Sequence, residues 1–440
     1  MGRPRGSRNR PREAREVRTA PTAEEVERTR PAAQEGQEQV VERATEAPRA
    51  VRDPQMMRKI GALKDRMNKA LIDKKTGEAD GRLYTSDEIT PAFTLRRPTG
   101  LLSLDMAIAG GVPAGCITEI VAAEGVGKST LANWVLAENQ RAYGSKSAIF
   151  IACVEGQYDK DHGRDCGIRM AFSKAEIEKL EGARGAALNP ELKKSLMEDQ
   201  IGEVVEIRAK SAEVLLDEII EVVRSNYFQA GVVDSFAAMI PEAEDEGAME
   251  DKQVAEKAKL IAKFCRKWGG IQSLDKDGKF NTTSLMVINQ QIVKIGGFSP
   301  NPGVVPTEVP GGRALRYWKS LSVELKSSIG DRIESEETGD IIGKNITWKI
   351  LKQKQGGHEG ATAKFRYLFD TCQPDRAYDA YEVGLLHGII KRNGTRGFLW
   401  GAENFPSEEA VVEVLKDVEK RDTLRNQLMQ VLDIRCQIGS

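Results

Sequence analysis

Residues 122–129 read Ala-Ala-Glu-Gly-Val-Gly-Lys-Ser. An apolar run, Ile117-Thr118-Glu119-Ile120-Val121, precedes them, and a helical pattern from Thr130 to Tyr143 follows. Strand, glycine-rich turn and helix in that order are the context of a phosphate-binding P-loop. Glycines let successive backbone N–H groups curl around a polyphosphate, and the start of the next helix adds partial positive charge. Lys128 is long enough to meet the β- and γ-phosphates, and the Ser129 hydroxyl is a ligand for Mg²⁺. Ala122 stands where glycine is commonest and is small enough to serve. The candidate nucleotide-binding residues are Ala122, Ala123, Glu124, Gly125, Val126, Gly127, Lys128, Ser129 and Thr130. A chance Gly-Lys-Ser in a surface turn would lack the flanking strand and helix.

Three further apolar runs end in polar groups suited to the same chemistry. Gly231-Val232-Val233-Asp234 offers a carboxylate that orients Mg²⁺ through water. Alone it is a weak signal, because any buried strand can end in Asp; paired with the P-loop it is a strong one. Ala148–Val154 leads to Glu155, a candidate to polarise an attacking water. The strand directly after a P-loop helix is expected beside the P-loop strand, which would set Glu155 against the γ-phosphate; an ordinary strand-end turn is the alternative. Ser284–Asn289 leads to Gln290, which could bond the γ-phosphate and report its presence. The loop after it, Gln291 to Pro310, holds four prolines and Lys294 as its single cation. A loop this long inside a domain is usually functional.

Strands are predicted at 117–121, 148–154, 229–234, 284–289, 320–326 and 346–352, and helices at 129–142, 212–226 and 252–268. Short buried strands alternating with helices predict an α/β core, a mostly parallel twisted sheet flanked by helices. Ligands of such sheets sit at the carboxyl ends of the strands.

Outside the core, residues 1–53 contain no Leu, Ile, Phe, Tyr or Trp and are rich in Arg, Glu, Ala and Pro. Such a segment buries too little apolar surface to offset its chain entropy and is predicted to be a disordered arm. Its first 18 residues hold seven arginines against two glutamates, which suits weak, salt-sensitive phosphate contact. Met56, Ile60, Leu63, Met67 and Leu71 then recur at helical spacing, within an N-terminal helix and linker over 54–92. The helix must bury that stripe against its own domain or a neighbouring subunit. Residues 172–200 look like a charged helical insertion. From Asp379 onward a separate apolar pattern, including Val411, Val412, Leu415 and Val418, predicts a small α/β C-terminal domain over 376–440.

Composition excludes more than it selects. A formal net charge of −1 with 30% charged residues means that any nucleic-acid surface is local. No apolar run is long enough to span a membrane. Six cysteines are scattered without Cys-x-x-Cys spacing, so neither a zinc site nor a disulfide framework is indicated, and a reducing cytoplasm is expected.

With these motifs in order, the chain resembles the RecA-type recombinases of bacteria and phages, from about Thr99 to Leu432. Thr99-Gly100-Leu101-Leu102-Ser103-Leu104-Asp105 and Gly110-Gly111-Val112-Pro113 open the likeness. The P-loop, Glu155, Asp234-Ser235 and Ile288-Asn289-Gln290 follow in the family's order, and Lys294-Ile295-Gly296 and Gly311-Gly312-Arg313 bracket the long loop. The resemblance implies a core over 93–375 with DNA loops at about 241–254 and 291–312. It implies that Glu155 activates water, that Gln290 couples the γ-phosphate to the second loop, and that Lys352 and Lys354 reach a neighbouring subunit's γ-phosphate. Asp159 and His162 fall at the adenine position, with His162 where the family stacks a tyrosine. Ser129 and Asp234 hold Mg²⁺. Arg266, Lys294, Gly311, Gly312 and Arg313 contact single-stranded DNA, with Val254 and Ile295 able to wedge between bases. Tyr317 falls at a subunit contact. Lys391, Arg392 and Arg396 gather homologous duplex DNA. Ile292 replaces a loop arginine, and the family's acidic C-terminal tail has no counterpart.

The function implied is ATP-dependent homologous pairing and strand exchange by a helical homo-oligomer on single-stranded DNA, in the bacterial nucleoid or a phage-infected cytoplasm. It is a DNA-dependent ATPase activity with ATP and Mg²⁺ as cofactors, and single-strand-binding and loader proteins are the further partners implied. Two readings compete: a hexameric helicase on the same fold, and a DNA-binding mediator that holds ATP without turnover.

Overall fold

A computed structural model describes residues 53–70, 95–154, 156, 158–240, 253–272, 280–293, 307–308, 312–335, 338–434 and 436–438. The N-terminal arm over 1–52, the linker after Ala70, Glu155, and most of both expected DNA loops lie outside the described residues. The chain divides into two units at residue 69. In the first, Pro54–Ala70 forms helix α1, with Met56, Ile60, Leu63 and Met67 on one face and 39–55% exposed.

The second unit is built on a ten-stranded sheet. Its strands are β1 (Ile117–Ala122), β2 (Ala148–Cys153), β3 (Glu203–Ile207), β4 (Ala230–Asp234), β5 (Ser284–Gln290), β6 (Leu321–Lys326), β7 (Arg332–Glu334), β8 (Ile341–Gln353), β9 (Thr362–Leu368) and β10 (Gln373–Pro374). They run in the order β10-β9-β8-β6-β1-β5-β4-β2-β3, with β7 paired to β8. The six strands from β3 to β6 in this order are parallel, and β8, β9 and β10 continue antiparallel. The largely parallel α/β sheet predicted from the sequence is present. One expectation is corrected. β2 does not neighbour β1, because β5 and β4 stand between them. Both strands enter later in the chain and fill the places between β2 and the P-loop strand, β5 beside β1 and β4 beside β2, which no local pattern announces.

Twelve helices are described: α2 (Leu102–Ala107), α3 (Lys128–Tyr143), α4 (Lys160–Asp165), α5 (Lys174–Arg184), α6 (Pro190–Glu198), α7 (Ala212–Arg224), α8 (Gln253–Ile271), α9 (Gly312–Trp318), α10 (Arg376–Leu386), α11 (Glu408–Val414) and α12 (Val418–Val431), besides α1. Side chains alternate across the sheet with the strand period of two. Ile149, Ile151, Met286 and Ile288 pack with Leu131, Trp134 and Val135 of α3. Phe150, Ala152, Leu285 and Val287 pack on the other face with Leu215, Ile219 and Val223 of α7 and Ile261, Phe264 and Trp268 of α8. Cover on both faces is why these strands read as continuous apolar runs. The charged segment expected over 172–200 folds as α5 and α6.

Residues 376–431 form a further cluster. Helices α10, α11 and α12 enclose a three-stranded sheet, β11 (Ile390–Asn393), β12 (Gly397–Trp400) and β13 (Glu403–Phe405), around Tyr381, Ile390, Phe398, Val411, Leu415, Leu424 and Leu428. Two polar ties join it to α2. Arg425 meets the buried Asp105 carboxylate at 2.9 Å. Asp379 accepts the Ser103 N–H at 3.0 Å and so caps α2, whose own Leu101 offers no side-chain cap.

Burial pushes the Asp379 carboxyl up to about 6 from 3.8. Between those values the folded chain keeps a proton that the unfolded chain has lost, so stability falls as pH rises from about 4 to about 6. Asp379→Asn is expected to remove that share of the decline, roughly 3 kcal/mol at most. Urea midpoints at pH 4, 5, 6 and 7 check it; an unchanged slope would assign the effect to other groups, Asp105 first.

Candidate nucleotide site

Seven described helices begin with a side-chain cap: α4 on Asp159, α5 on Ser173, α6 on Asn189, α7 on Ser211, α10 on Asp375, α11 on Ser407 and α12 on Asp417. Helix α3 does not. Its N-cap is Gly127, with no side chain to accept its first N–H groups. Gly125 and Gly127 have φ of +70° and +120°, where a side chain would be strained. The residues 122–129 thus form a glycine-rich turn at an uncapped helix start, the setting in which backbone N–H groups bind an anion.

The cradle lies at the carboxyl end of β1, which stands between the parallel strands β6 and β5. Gln290 ends β5 directly beside Ala122. One strand further, Asp234 ends β4, and its carboxylate accepts the Ser129 hydroxyl at 2.5 Å. The Asp234–Ser235 peptide is cis. Lys128 is buried, and its ammonium donates to the carbonyls of Ala123 at 2.8 Å and Ala122 at 3.3 Å. Ser129 and Asp234 make an oxygen pair suited to Mg²⁺. Uncapped N–H groups, a lysine and that pair together fit a magnesium–nucleotide. Glu155 itself lies outside the described residues; the preceding Val154 N–H donates to the Asp234 carbonyl at 2.7 Å, which brings the end of β2 to the end of β4.

The walls of the cleft come from elsewhere. Thr130 Oγ1 lies 3.2 Å from His162 Nε2, so His162 of α4 stands over the first turn of α3. Asp159 caps α4 by accepting the His162 N–H at 3.0 Å. On the other side, Lys344 of β8 donates to the Gly125 carbonyl at 2.6 Å, and Tyr367 of β9 faces Lys344. No motif named Lys344 or Tyr367. Their place depends on how far β8 overhangs its partner, which is a property of the sheet.

The two lysines expected to act on a neighbour lie at the opposite edge. Lys352 pairs with Ser322 at the amino end of β6. Lys352 donates to the Arg316 carbonyl and Lys354 to the Tyr317 carbonyl, the last turn of α9. Burial, together with Lys354 and Lys319, pulls the Lys352 ammonium down to about 8. Beneath them a buried network joins Glu119 to Lys319, to Ser322 and to Asn289, the residue before Gln290.

Of the expected DNA residues, Arg266 on α8 and Arg313 on α9 are exposed. The backbone of Gly312 opens α9, and Val254 lies in the first turn of α8. Lys294, Ile295 and Gly311 lie outside the described residues. Lys391, Arg392 and Arg396 are exposed on the β11–β12 hairpin. Lys391 and Arg392 point to opposite faces of their strand, and the Arg392 guanidinium sits 5.7 Å over the Phe398 ring. Tyr317 is 80% exposed.

The family model described as the RecA N-terminal domain matches residues 65–174 and 184–371. The interval between the two stretches falls inside α5. Similar proteins include Protein RecA of Syntrophus aciditrophicus, 32% identical over 342 residues that cover 78% of this chain and 81% of that one. Protein RecA of Rubrobacter xylanophilus is 31% identical over 343 residues, covering 76% and 84%. Protein RecA of Ruminococcus albus is 33% identical over 334 residues, covering 74% and 69%.

Proposed function

This chain belongs to the RecA family, and from that premise we propose that it is an ATP-dependent homologous recombination protein, a DNA-dependent ATPase that pairs and exchanges DNA strands. The observation that supports this most is the alignment of three strand ends: the P-loop on β1, Gln290 on β5 and Asp234 on β4, side by side.

Magnesium–ATP bound there supplies the labile phosphoanhydride and its charge. The chain's own groups then divide the work. The first N–H groups of α3 and Lys128 hold phosphate, and Ser129 and Asp234 hold the metal. Glu155 takes a proton from water. Gln290 reads the phosphate end of the nucleotide and, through Asn289 and Glu119, communicates with Lys319 beyond α9. Asp159 and His162 flank the base. Lys352 and Lys354 serve a neighbouring protomer, so that nucleotide occupancy and self-assembly are linked.

DNA contacts fall to Arg266, Lys294, Gly311, Gly312 and Arg313, with Val254 and Ile295 as apolar wedges. Lys391, Arg392 and Arg396 gather duplex. Stretching a single strand costs stacking, and only a correctly pairing partner recovers it, so base pairing reads sequence while the protein reads backbone. The setting is the cytoplasm, with single-strand-binding and loader proteins as further partners.

Negative-stain imaging with single-stranded DNA and a nonhydrolysable ATP analogue is expected to show helical filaments. Closed rings would mean a hexameric motor, and monomers indifferent to DNA would overturn the proposal.

A further inference from the structure

The nucleotide cleft contains a cation outside every motif. β8 is longer than its antiparallel partner β6. Lys326 pairs with Thr347, and Ile341 to Ile346 run on past the carboxyl ends of the parallel strands, where the P-loop lies. Lys344 and Ile346 share one face of this overhang. The Lys344 ammonium donates to the Gly125 carbonyl at 2.6 Å. Ile346 Cδ1 lies 3.5 Å from where a Cβ on Gly127 would stand. The Tyr367 ring centre is 5.9 Å from the same ammonium. The overhang therefore leans on the P-loop at two successive glycines of the cradle.

The surroundings of Lys344 favour an anion. Among the described residues no carboxylate pairs with it, and burial alone pulls its pKa below the ordinary lysine value. A partly desolvated ammonium with no counter-charge among the described residues gains most from an anion. One carbonyl oxygen is a modest substitute, and the loop that supplies it is the one that holds phosphate.

We infer that Lys344 is a second phosphate-binding cation of the nucleotide site, acting in cis and exchanging the Gly125 carbonyl for a polyphosphate oxygen of the bound nucleotide. The inference rests on the reading of residues 122–129 as an ATP-binding loop. Lys128 approaches from the loop itself and Lys344 from the sheet, so the two clamp a polyphosphate from different sides. Because β8 also carries Lys352, one strand meets the protomer's own nucleotide at one end and a neighbour's at the other.

Titration calorimetry with ATP and Mg²⁺ on the full chain tests this, alongside thermal unfolding of the nucleotide-free protein. Lys344→Gln is expected to weaken ATP binding ~10-fold or more, as loss of a charged hydrogen bond does. Lys344→Arg is expected to stay within ~3-fold, because it keeps the charge. The unfolding midpoint of nucleotide-free Lys344→Gln should be no lower than that of the wild type. Unchanged ATP affinity in Lys344→Gln overturns the inference, as does a loss that merely tracks a lowered midpoint. Wild-type protein that fails to bind ATP at all would overturn the P-loop reading itself, and that result is distinct from either.

Discussion

Lys352→Ala is expected to lower DNA-stimulated ATP turnover by ~10³-fold, the scale of a cation supplied in trans to a phosphoryl transition state. The affinity of a single protomer for ATP should stay within about twofold, since the lysine does not touch its own nucleotide. Geometry is the reason. Lys344 touches the P-loop at one end of β8, and Lys352 is eight residues further along. At about 3.3 Å per residue that is roughly 25 Å, well beyond the reach of a lysine side chain. A γ-phosphate that Lys352 meets must therefore belong to another copy.

In the free protomer Lys352 and Lys354 cap the last carbonyls of α9, the helix that follows the long loop. Engagement in trans removes those caps, so assembly and the position of α9 are coupled. Burial, with Lys354 and Lys319 nearby, holds the Lys352 ammonium of the free protomer down to about 8. Above that pH assembly must take up a proton, so filament formation should weaken as pH rises past about 8. Turnover and light scattering from pH 7 to 9 measure both effects. Full turnover by Lys352→Ala filaments would remove Lys352 from the mechanism.

Glu155→Gln is expected to cut hydrolysis by ~10²–10⁴-fold, the usual worth of a positioned general base. It keeps shape and removes the proton acceptor, so ATP binding and filament assembly should persist and filaments should last longer. The described residues before it lie beside Asp234: Cys153 pairs with Asp234, and the Val154 N–H donates to the Asp234 carbonyl. Single-turnover hydrolysis with the variant is the measurement. An undiminished rate would point to a different base, and no measurable rate in the wild type would favour a mediator that binds ATP without turnover.

These sites were legible to different degrees. The P-loop reads straight from the chain, because strand, turn and helix are contiguous and glycine at positive φ is a local demand. Asp234 and Gln290 were legible as polar ends of apolar strands. The neighbours of those ends were not. Nothing in Ala148–Cys153 says that two strands from much later in the chain separate it from β1. His162 was named for the adenine position through family likeness, while its approach to Thr130 across the first turn of α3 needed the fold. Lys344 left no trace in any motif, because its role depends on β8 outrunning β6.

By itself the sequence determined that a glycine-rich loop of the phosphate-binding kind stands at a strand–helix junction, and that an alternating α/β core supports it, since both follow from contacts between residues close along the chain. Only the tertiary structure decided which strand ends stand beside that junction, which lysine leans on it and which lie a sheet's length away. Strand order and register arise from packing between distant segments, and side-chain patterns within one segment carry no record of its partner.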